Sequence, residues 1–261
     1  MGVLDEIVRS KRQAVASQKQ VFPETLLRKA PFYGQSSSSL VTSIKSSAHG
    51  IIAEFKRRSP SKGDIHIGAK VHDVVSGYTN ASVSGISVLT DTPFFGGSLE
   101  DLVLARHTSR LPILRKDFII DAYQIHESKA FGADVILLIA RILNSNQIKE
   151  FSHLAHSLGL EVLLEIHQQK ELNHLDLSNI DLIGINHRNL ETFDVHMQHS
   201  QHIVETIPRH FTKIAESGIR SVEEIKTLKA LGFDGVLIGE YLMRSKNPGE
   251  KANQLVQNLY S

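Results

Sequence analysis

Residues 51–63 read IIAEFKRRSPSKG, and this stretch is the first of eight similar segments that together decide the fold. Its apolar start, Ile51 to Ala53, is followed by Glu54 and Lys56 and then by a loop of Ser, Pro and Gly. Side chains alternate between the two faces of a strand, so Glu54 and Lys56 share one face. An apolar strand that ends in an acid–base pair and an anion-friendly loop predicts one wall of an active site. The alternative is a surface salt bridge at a strand end.

Seven further apolar runs follow along the chain, beginning near residues 86, 112, 133, 160, 182, 212 and 235. Amphipathic segments of helix-forming composition lie between them. Strands that are apolar on both faces are typical of a parallel sheet, and parallel strands need crossover connections, which helices supply. Eight such units predict a (β/α)₈ TIM barrel. A doubly wound open sheet is the alternative, but no GxGxxG follows the first strand.

The composition of the chain excludes several classes of protein. Its 261 residues are 41% hydrophobic and 22% charged, which is typical of a globular protein with a sizeable core. The formal net charge of +1 argues against a nucleic-acid partner. The absence of cysteine excludes disulfides, thiolate metal sites and cysteine nucleophiles. The longest apolar stretch, residues 135–140, is too short to span a membrane, and the start has no signal-peptide core, so we expect a cytoplasmic protein.

The first 45 residues differ in pattern from the rest. Apolar residues between Leu4 and Val21 recur at helical spacing, and Pro23 is expected in the first turn of a second short helix that runs through Lys29. The serine-rich segment 32–40 is either a flexible linker or part of a helical cap packed on the barrel. We predict one barrel domain over residues 1–261, in which residues 1–45 form an N-terminal helical extension.

Polar side chains collect where the predicted strands end, which is where barrel enzymes place their active sites. The strand ends carry Glu54, Lys56, Ser59, Lys116, Glu165, Asn186, Arg188, Glu216, Ser217, Gly218, Gly239 and Glu240. Burying so many polar groups without a purpose would be costly. Burial and neighbouring cations can lower the pKa of a lysine, and burial can raise that of a glutamate, so we expect acid–base catalysis on a substrate with several negative charges.

Glycines at the ends of the seventh and eighth strands, in AESGI and LIGEYL, predict a phosphate site. Glycine lets backbone N–H groups approach an anion closely, and phosphate sites after these two strands recur in barrels. The hydroxyls of Ser59 and Ser217 are expected to add donors. The alternative is that these glycines are only turn residues.

Seven motifs together carry a resemblance to a known family: IIAEFKRRSPSKG, ISVLTD with FFGGSLEDL, LPILRKDFIID, VLLEIH, IGINHRNL, AESGI and LIGEYLMR. Across essentially its whole length the chain closely resembles the indole-3-glycerol phosphate synthases of tryptophan biosynthesis. The resemblance implies a (β/α)₈ barrel with an N-terminal helical extension. It also implies conversion of 1-(2-carboxyphenylamino)-1-deoxyribulose 5-phosphate to indole-3-glycerol phosphate, CO₂ and water, with no cofactor and no metal.

The resemblance also implies roles for individual residues. Lys116 matches the general acid of ring closure, and Glu165 matches the acid/base residue of dehydration. Lys56 matches the lysine that contacts the anthranilate carboxylate, with Glu54 orienting it. The remaining matches are the positioning residues Asn186 and Ser217, the cation Arg188, the phosphate contacts Ser59, Gly218, Gly239 and Glu240, the ring walls Phe95, Phe118, Leu137 and Leu190, and a further substrate-binding residue, Leu237.

Two positions depart from the pattern of the family. His187 stands where relatives often have Asn or Ser, and alternation points it away from Asn186, so little consequence is expected. Glu240 stands where many relatives have Ser, and its carboxylate is expected to face away from the phosphate. Histidines at 153, 156, 196, 199 and 202 recur at helical spacing, and we interpret them as solvated helix faces and not as metal ligands.

Three rival functions remain to be compared with the synthase. Phosphoribosylanthranilate isomerases use a cysteine, which this chain lacks, and a bifunctional synthase–isomerase would need a second barrel. A non-catalytic phosphosugar-binding barrel is the third rival, and the intact set of lysines and glutamates argues against it. The expected partner is a phosphorylated small-molecule substrate, with no nucleic acid and no membrane, and a monomer is expected in place of a homo-oligomer.

Overall fold

The centre of the computed structural model, which describes residues 2–188 and 200–260, is a closed barrel of eight parallel strands. The strands are β1 Ile51–Phe55, β2 Gly85–Leu89, β3 Ile113–Lys116, β4 Val135–Ile139, β5 Glu161–Ile166, β6 Leu182–Asn186, β7 Thr212–Glu216 and β8 Gly235–Ile238. Each strand pairs with the next along the chain, and β8 closes on β1. The predicted TIM barrel is confirmed, because every barrel strand begins within about two residues of its predicted start.

Helices connect the strands around the outside of the barrel. After β1 these are α4 Val71–Asn80, α5 Thr92–Phe95, α6 Leu99–Thr108, α7 Ala122–Ala130, α8 Ser145–Ser157, α9 Ser200–Thr206, α10 Val222–Ala230, α11 Glu240–Met243 and α12 Pro248–Tyr260. Polar caps set several helix starts: Ser98, Asn144 and Ser221 each accept a hydrogen bond from a backbone N–H in the first turn. Within the described residues, no helix has the length and apolar character needed to cross a bilayer.

The interior of the barrel is apolar at the end where the strands begin. Ile52, Leu114 and Leu182 are fully buried there. The short helix α3, Leu40–Lys45, closes this end by packing Leu40 and Ile44 against them. A Cβ at position 85 would lie 2.4 Å from a methyl carbon of Leu40, so glycine at the start of β2 gives the helix room to enter.

The helix α1, Val3–Val21, packs beside the opposite end of the barrel, where the strands finish. Lys11 in this helix is buried, and its Nζ lies 2.8 Å from Asp91 Oδ2 and 2.7 Å from Asp117 Oδ1. Burial acts to lower the pKa of Lys11, but the attraction of these two carboxylates is stronger, so the pKa is raised. Buried ion pairs therefore join α1 to the loops after β2 and β3.

The second helix, α2, covers Glu24–Leu27 and so ends two residues before the predicted end at Lys29. The chain tightens there, because Lys29 and Ala30 donate hydrogen bonds to residues only three positions earlier. Pro23 is the residue that precedes the helix and does not lie in its first turn.

The serine-rich segment 32–40 is held against the barrel by hydrogen bonds. Lys129 Nζ donates to Gln35 O at 2.7 Å and to Ser37 Oγ at 2.9 Å. Glu161, the first residue of β5, accepts from Ser39 Oγ at 2.5 Å and from Leu40 N at 2.8 Å. These contacts agree with the packed-cap interpretation of the segment and not with the flexible-linker one.

Candidate active site

A cavity opens where the barrel strands end, and all eight strands supply residues to its lining. Within the described part of the chain, every residue that the sequence predicted for the site lines this cavity. They are Glu54, Lys56, Ser59, Phe95, Lys116, Phe118, Leu137, Glu165, Asn186, Arg188, Ser217, Gly218, Leu237, Gly239 and Glu240. The remaining predicted residue, Leu190, lies outside the described residues. The predicted convergence of lysines and glutamates at one mouth of the barrel is therefore found.

Lys116 lies at the centre of the charged groups in the cavity. Its Nζ is 3.3 Å from Glu165 Oε2 and donates a hydrogen bond to Glu216 Oε2. Burial acts to lower the pKa of Lys116, but the attraction of Glu216, Glu165 and Glu54 is stronger, so the pKa is raised. The expectation of a lowered lysine pKa is wrong for this residue, because it was based on burial without the neighbouring anions. The neighbouring carboxylates therefore hold Lys116 as an ammonium and make it a weaker acid than a free lysine.

Glu216, the last residue of β7, lines the cavity, although the sequence predicted only its place at a strand end and no role. It is 1% exposed, and its Oε1 has no hydrogen-bond partner among the described residues. Burial and the nearby charge of Glu165 raise the pKa of Glu216 to about 7, against the opposing effect of Lys116. The usable signal was alternation, since Ile214 points into the barrel core and Glu216, two residues later, must point the same way.

A glycine on the neighbouring strand makes space for the Glu216 carboxylate. A Cβ at Gly184 of β6 would lie 2.1 Å from Glu216 Oε1. A clash that close would force the carboxylate away from Lys116. Gly184 therefore contributes to the site because it has no side chain. No pattern in the sequence distinguished it from an ordinary strand glycine.

Glu165 is held by three neighbours. Asn186 Nδ2 donates to its Oε1 at 3.2 Å, Lys116 contacts its Oε2, and His167 Nε2 lies 3.9 Å from Oε1. Burial acts to raise the pKa of Glu165, but Lys116, His167 and Asn186 together lower it below its ordinary value. The expected rise in a glutamate pKa is therefore found at Glu216 and not at Glu165. The difference arises because Glu165 has the larger number of stabilising partners.

Glu54 and Lys56 form the acid–base pair that alternation predicted on β1. Lys56 Nζ donates to Glu54 Oε1 at 2.5 Å. The side chain of Lys56 is 16% exposed and that of Glu54 is 5% exposed. A Cβ at Gly239 would lie 2.2 Å from Glu54 Oε1, so glycine at the end of β8 leaves room for this carboxylate. The pair lies beside the Lys116 group, so two ammonium groups share one cavity.

The predicted phosphate residues lie together on one side of the mouth. Ser217 and Gly218 follow β7 with φ angles of 71° and 82°, and Gly239 and Glu240 follow β8. Arg188 adds a cation here, and its guanidinium lies 3.5 Å from Glu240 Oε2. Glu240 Oε1 accepts a second hydrogen bond, from Arg244. The Glu240 carboxylate is thus engaged by two arginines at the rim.

The opposite side of the cavity is apolar. The rings of Phe95 and Phe118 lie with their centroids 5.9 Å apart, and Leu137 of β4 continues this wall from inside the barrel. Leu237 also lines the cavity, from β8 and therefore from the strand that leads to Gly239. Three residues of α1 also line the cavity, namely Val3, Leu4 and Ile7. The sequence predicted this helix as part of an N-terminal extension but did not place its side chains in the site. One apolar wall facing a cationic rim suits an aromatic substrate that carries anionic groups.

Among the described residues, no group of three or more His, Asp or Glu side chains has the arrangement of a metal site. His156 pairs with Asp181 Oδ2 at 2.8 Å, and His153 and His202 are exposed. His196 and His199 lie outside the described residues.

Residues 4–255 match the family model of indole-3-glycerol phosphate synthase. The enzyme of that name from Bacteroides thetaiotaomicron is 46% identical over 248 residues, which cover 95% of each chain. The one from Salinibacter ruber is 38% identical over 257 residues, 98% of this chain and 95% of that relative.

Among solved structures, a tryptophan synthase α-subunit from Pyrococcus furiosus aligns with a TM-score of 0.60 at 15% identity, over 81% of this chain and 97% of that one. The 3-hexulose-6-phosphate synthase from Salmonella typhimurium aligns with a TM-score of 0.60 at 12% identity, over 81% and 98% of the two chains. At these identities the likeness shows the barrel fold alone. The family model and the full-length relatives show that this chain belongs to the indole-3-glycerol phosphate synthase family.

Proposed function

We propose that this chain catalyses the conversion of 1-(2-carboxyphenylamino)-1-deoxyribulose 5-phosphate to indole-3-glycerol phosphate, CO₂ and water. The observation that carries the proposal is the position of Lys116 between two buried carboxylates, at the floor of a cavity with one apolar wall and a cationic rim. An ammonium in that setting can stabilise the negative charge that forms on a carbonyl oxygen when a ring carbon attacks it.

Substrate binding in this proposal uses both ends of the molecule. The carboxylate of the anthranilate ring binds Lys56, which Glu54 orients, and the phosphate binds Ser59, Gly218, Gly239 and the backbone of Glu240, with Arg188 adding positive charge. The ring packs on the wall of Phe95, Phe118 and Leu137. Holding the flexible chain at two points brings the reacting carbons together and removes much of the entropic barrier to ring closure.

Ring closure begins when the ring carbon that bears the carboxylate attacks the carbonyl carbon. The carbonyl electron pair moves to its oxygen, which takes a proton from Lys116 Nζ. The bond to the carboxylate then breaks, CO₂ leaves, and its electron pair restores the aromatic ring. Asn186 and Ser217 position the reacting groups during this step.

Dehydration completes the reaction. The new hydroxyl takes a proton from Lys56 Nζ and leaves as water, while Glu165 takes a proton from the adjacent ring CH2, so that the double bond of indole forms and the nitrogen keeps its hydrogen. A lowered pKa keeps Glu165 ionised and therefore able to accept that proton. Glu216, with a pKa near 7, supplies a second carboxyl group that can exchange protons with Lys116 at neutral pH.

We further propose that residues 1–261 act as one domain and as a monomer in the cytoplasm. Support for the single domain comes from α1, whose Ile7 lines the cavity and whose Lys11 forms buried ion pairs with barrel loops. In this proposal the helical extension covers part of the site.

Turnover of the pure protein tests the proposal directly. We expect indole fluorescence to rise when the substrate is added, with no added cofactor and in the presence of a metal chelator. A protein that binds the substrate but produces no indole would instead be a non-catalytic phosphosugar-binding barrel. Loss of turnover in chelator alone would show that a metal takes part.

A further inference from the structure

The turn after β7 has an unusual backbone. Ser217 has a φ of 71° and Gly218 a φ of 82°, and both residues line the cavity. A positive φ costs glycine little but is unfavourable for serine, so the surroundings must hold Ser217 in this conformation. The residues that hold this turn therefore affect the shape of the cavity wall.

His187, the residue that follows β6, is the neighbour that contacts this turn. Its backbone N donates to Glu216 O at 3.0 Å, and its ring Nδ1 lies 3.3 Å from Ser217 O. A carbonyl oxygen can only accept, so Nδ1 carries the proton and donates. Two hydrogen bonds from one residue thus reach the last residue of β7 and the first residue of the turn.

The His187 ring is enclosed on the outer side of the barrel, away from the cavity. The residue is 5% exposed, and the edge-on ring of Phe233 lies 6.1 Å away between centroids. Its Nε2 has no hydrogen-bond partner among the described residues. Burial lowers the pKa of His187 and keeps the ring neutral, in agreement with a single proton on Nδ1. The ring lies behind the turn and does not line the cavity that would receive the substrate.

We propose that His187 is a positioning residue that holds the Ser217–Gly218 turn in the shape that binds the phosphate group of the substrate. The inference rests on the proposed function, because that function places a phosphate at this turn. It gives His187 a role, whereas alternation alone predicted little consequence for this position. The contribution is made through the Nδ1–H donor and not through the volume of the ring.

Two substitutions separate the donor from the volume. His187→Asn keeps a donor near the place of Nδ1 but loses ring volume, and His187→Leu keeps most of the volume but loses the donor. We expect His187→Leu to bind inorganic phosphate, measured by calorimetry, roughly tenfold more weakly than wild type, the size of one lost hydrogen bond. The KM for the substrate should rise by a similar factor with a smaller change in kcat. His187→Asn should stay within about twofold of wild type for both.

His49 provides the matched control at the far end of the barrel. It is 4% exposed, and its ring contacts Ser82 O at 3.2 Å and the backbone N of Ile51 at 3.0 Å, just before β1. His49→Asn and His49→Leu also alter a buried, hydrogen-bonded histidine. We expect them to lower the thermal midpoint without changing the affinity for phosphate.

The reverse ranking would overturn the proposal. If His187 only fills space, His187→Asn will be the damaging variant and His187→Leu will resemble wild type. A wild-type protein that binds no phosphate at all also overturns it. Failure of the proposed function has a different signature, namely a wild-type protein that makes no indole yet binds phosphate in a way that His187→Leu weakens.

Discussion

The two ends of the barrel interior are built from the same strands and differ sharply in chemistry. On four strands an inward-facing apolar residue is followed, two positions later, by an inward-facing charged one. The pairs are Ile52 and Glu54, Leu114 and Lys116, Leu163 and Glu165, and Ile214 and Glu216. The apolar layer packs on α3, and the charged layer lines the cavity. The period of two therefore separates stability from chemistry along the barrel axis.

The charged layer offsets the cost of burying charge through contacts among its own members. Lys116 contacts two carboxylates, Glu165 has three polar neighbours, and Glu54 pairs with Lys56. Groups that satisfy one another can remain buried beside an apolar layer without unpaired charges. If the two layers are separable, substitutions in the charged layer should lower turnover, and substitutions in the apolar layer should lower stability.

The largest effect on turnover is expected for Lys116→Ala. Removing the proposed proton donor should lower kcat by about 10²-fold or more, the usual scale for a positioned acid. Steady-state kinetics with indole fluorescence would measure it. The matched control is Lys213→Ala, since Lys213 is a buried lysine whose Nζ donates to Val204 O, on the outer side of the same barrel. Near-normal kcat in Lys116→Ala would refute the assigned role.

A smaller effect is expected for Glu165→Gln. The amide keeps the shape of the side chain but cannot accept the proton of dehydration, so kcat should fall by roughly 10- to 100-fold with little change in substrate affinity. Glu161→Gln, at the other end of the same strand, is the control. Glu161 holds the start of α3, so this change should lower stability and leave kcat intact. A Glu165→Gln protein with lost affinity and normal turnover would make Glu165 a binding residue.

For Glu216→Gln we expect a change of only a few-fold in kcat, together with a changed pH dependence of stability. The pKa of Glu216 is raised to about 7, above the ordinary value of 4.5, so between these pH values the folded protein binds more protons than the unfolded one. Its contribution to stability is therefore present below about pH 4.5 and is lost as pH rises to 7. Glu216→Gln should remove this loss of stability with rising pH. The free energy of unfolding, measured by chemical denaturation at pH 5.5 and at pH 8, would test this.

The same variant should lose the inflection near pH 7 that we expect in the kcat profile of the wild type. Glu205→Gln, a change at an exposed glutamate, is the control and should leave both pH dependences unchanged. If the pH dependence of unfolding were the same in Glu216→Gln and wild type, Glu216 would not be the group that titrates.

The smallest effect on turnover is expected for Leu40→Ala, in the apolar layer. Leu40 is fully buried in the cluster at the closed end of the barrel, so truncation should cost about 2–5 kcal/mol of unfolding free energy. Chemical denaturation would measure this loss. We expect kcat to be unchanged at temperatures where the variant is folded. A fall in kcat without a fall in stability would show that the two layers are coupled.

The sequence by itself determined the eight strands, the residues that face inward, and the family. Apolar runs mark buried strands, alternation assigns faces, and both are local properties of the chain. For the same reason, Glu54 and Lys56 were predicted as a pair, because residues two positions apart in a strand share a face. The seven motifs indicated the family, and they lie between residues 51 and 244, inside the range 4–255 that the family model matches.

Only the tertiary structure decided which charges meet and how their pKa values shift. Lys116 contacts Glu165 and Glu216, which lie 49 and 100 positions away along the chain, so no local pattern could pair them. The same holds for α1, which places Ile7 in the cavity, and for the ring of His187, which reaches the turn after β7. Burial alone predicts the wrong direction for the pKa of Lys116. Coulomb energies depend on distances through space, and folding sets those distances.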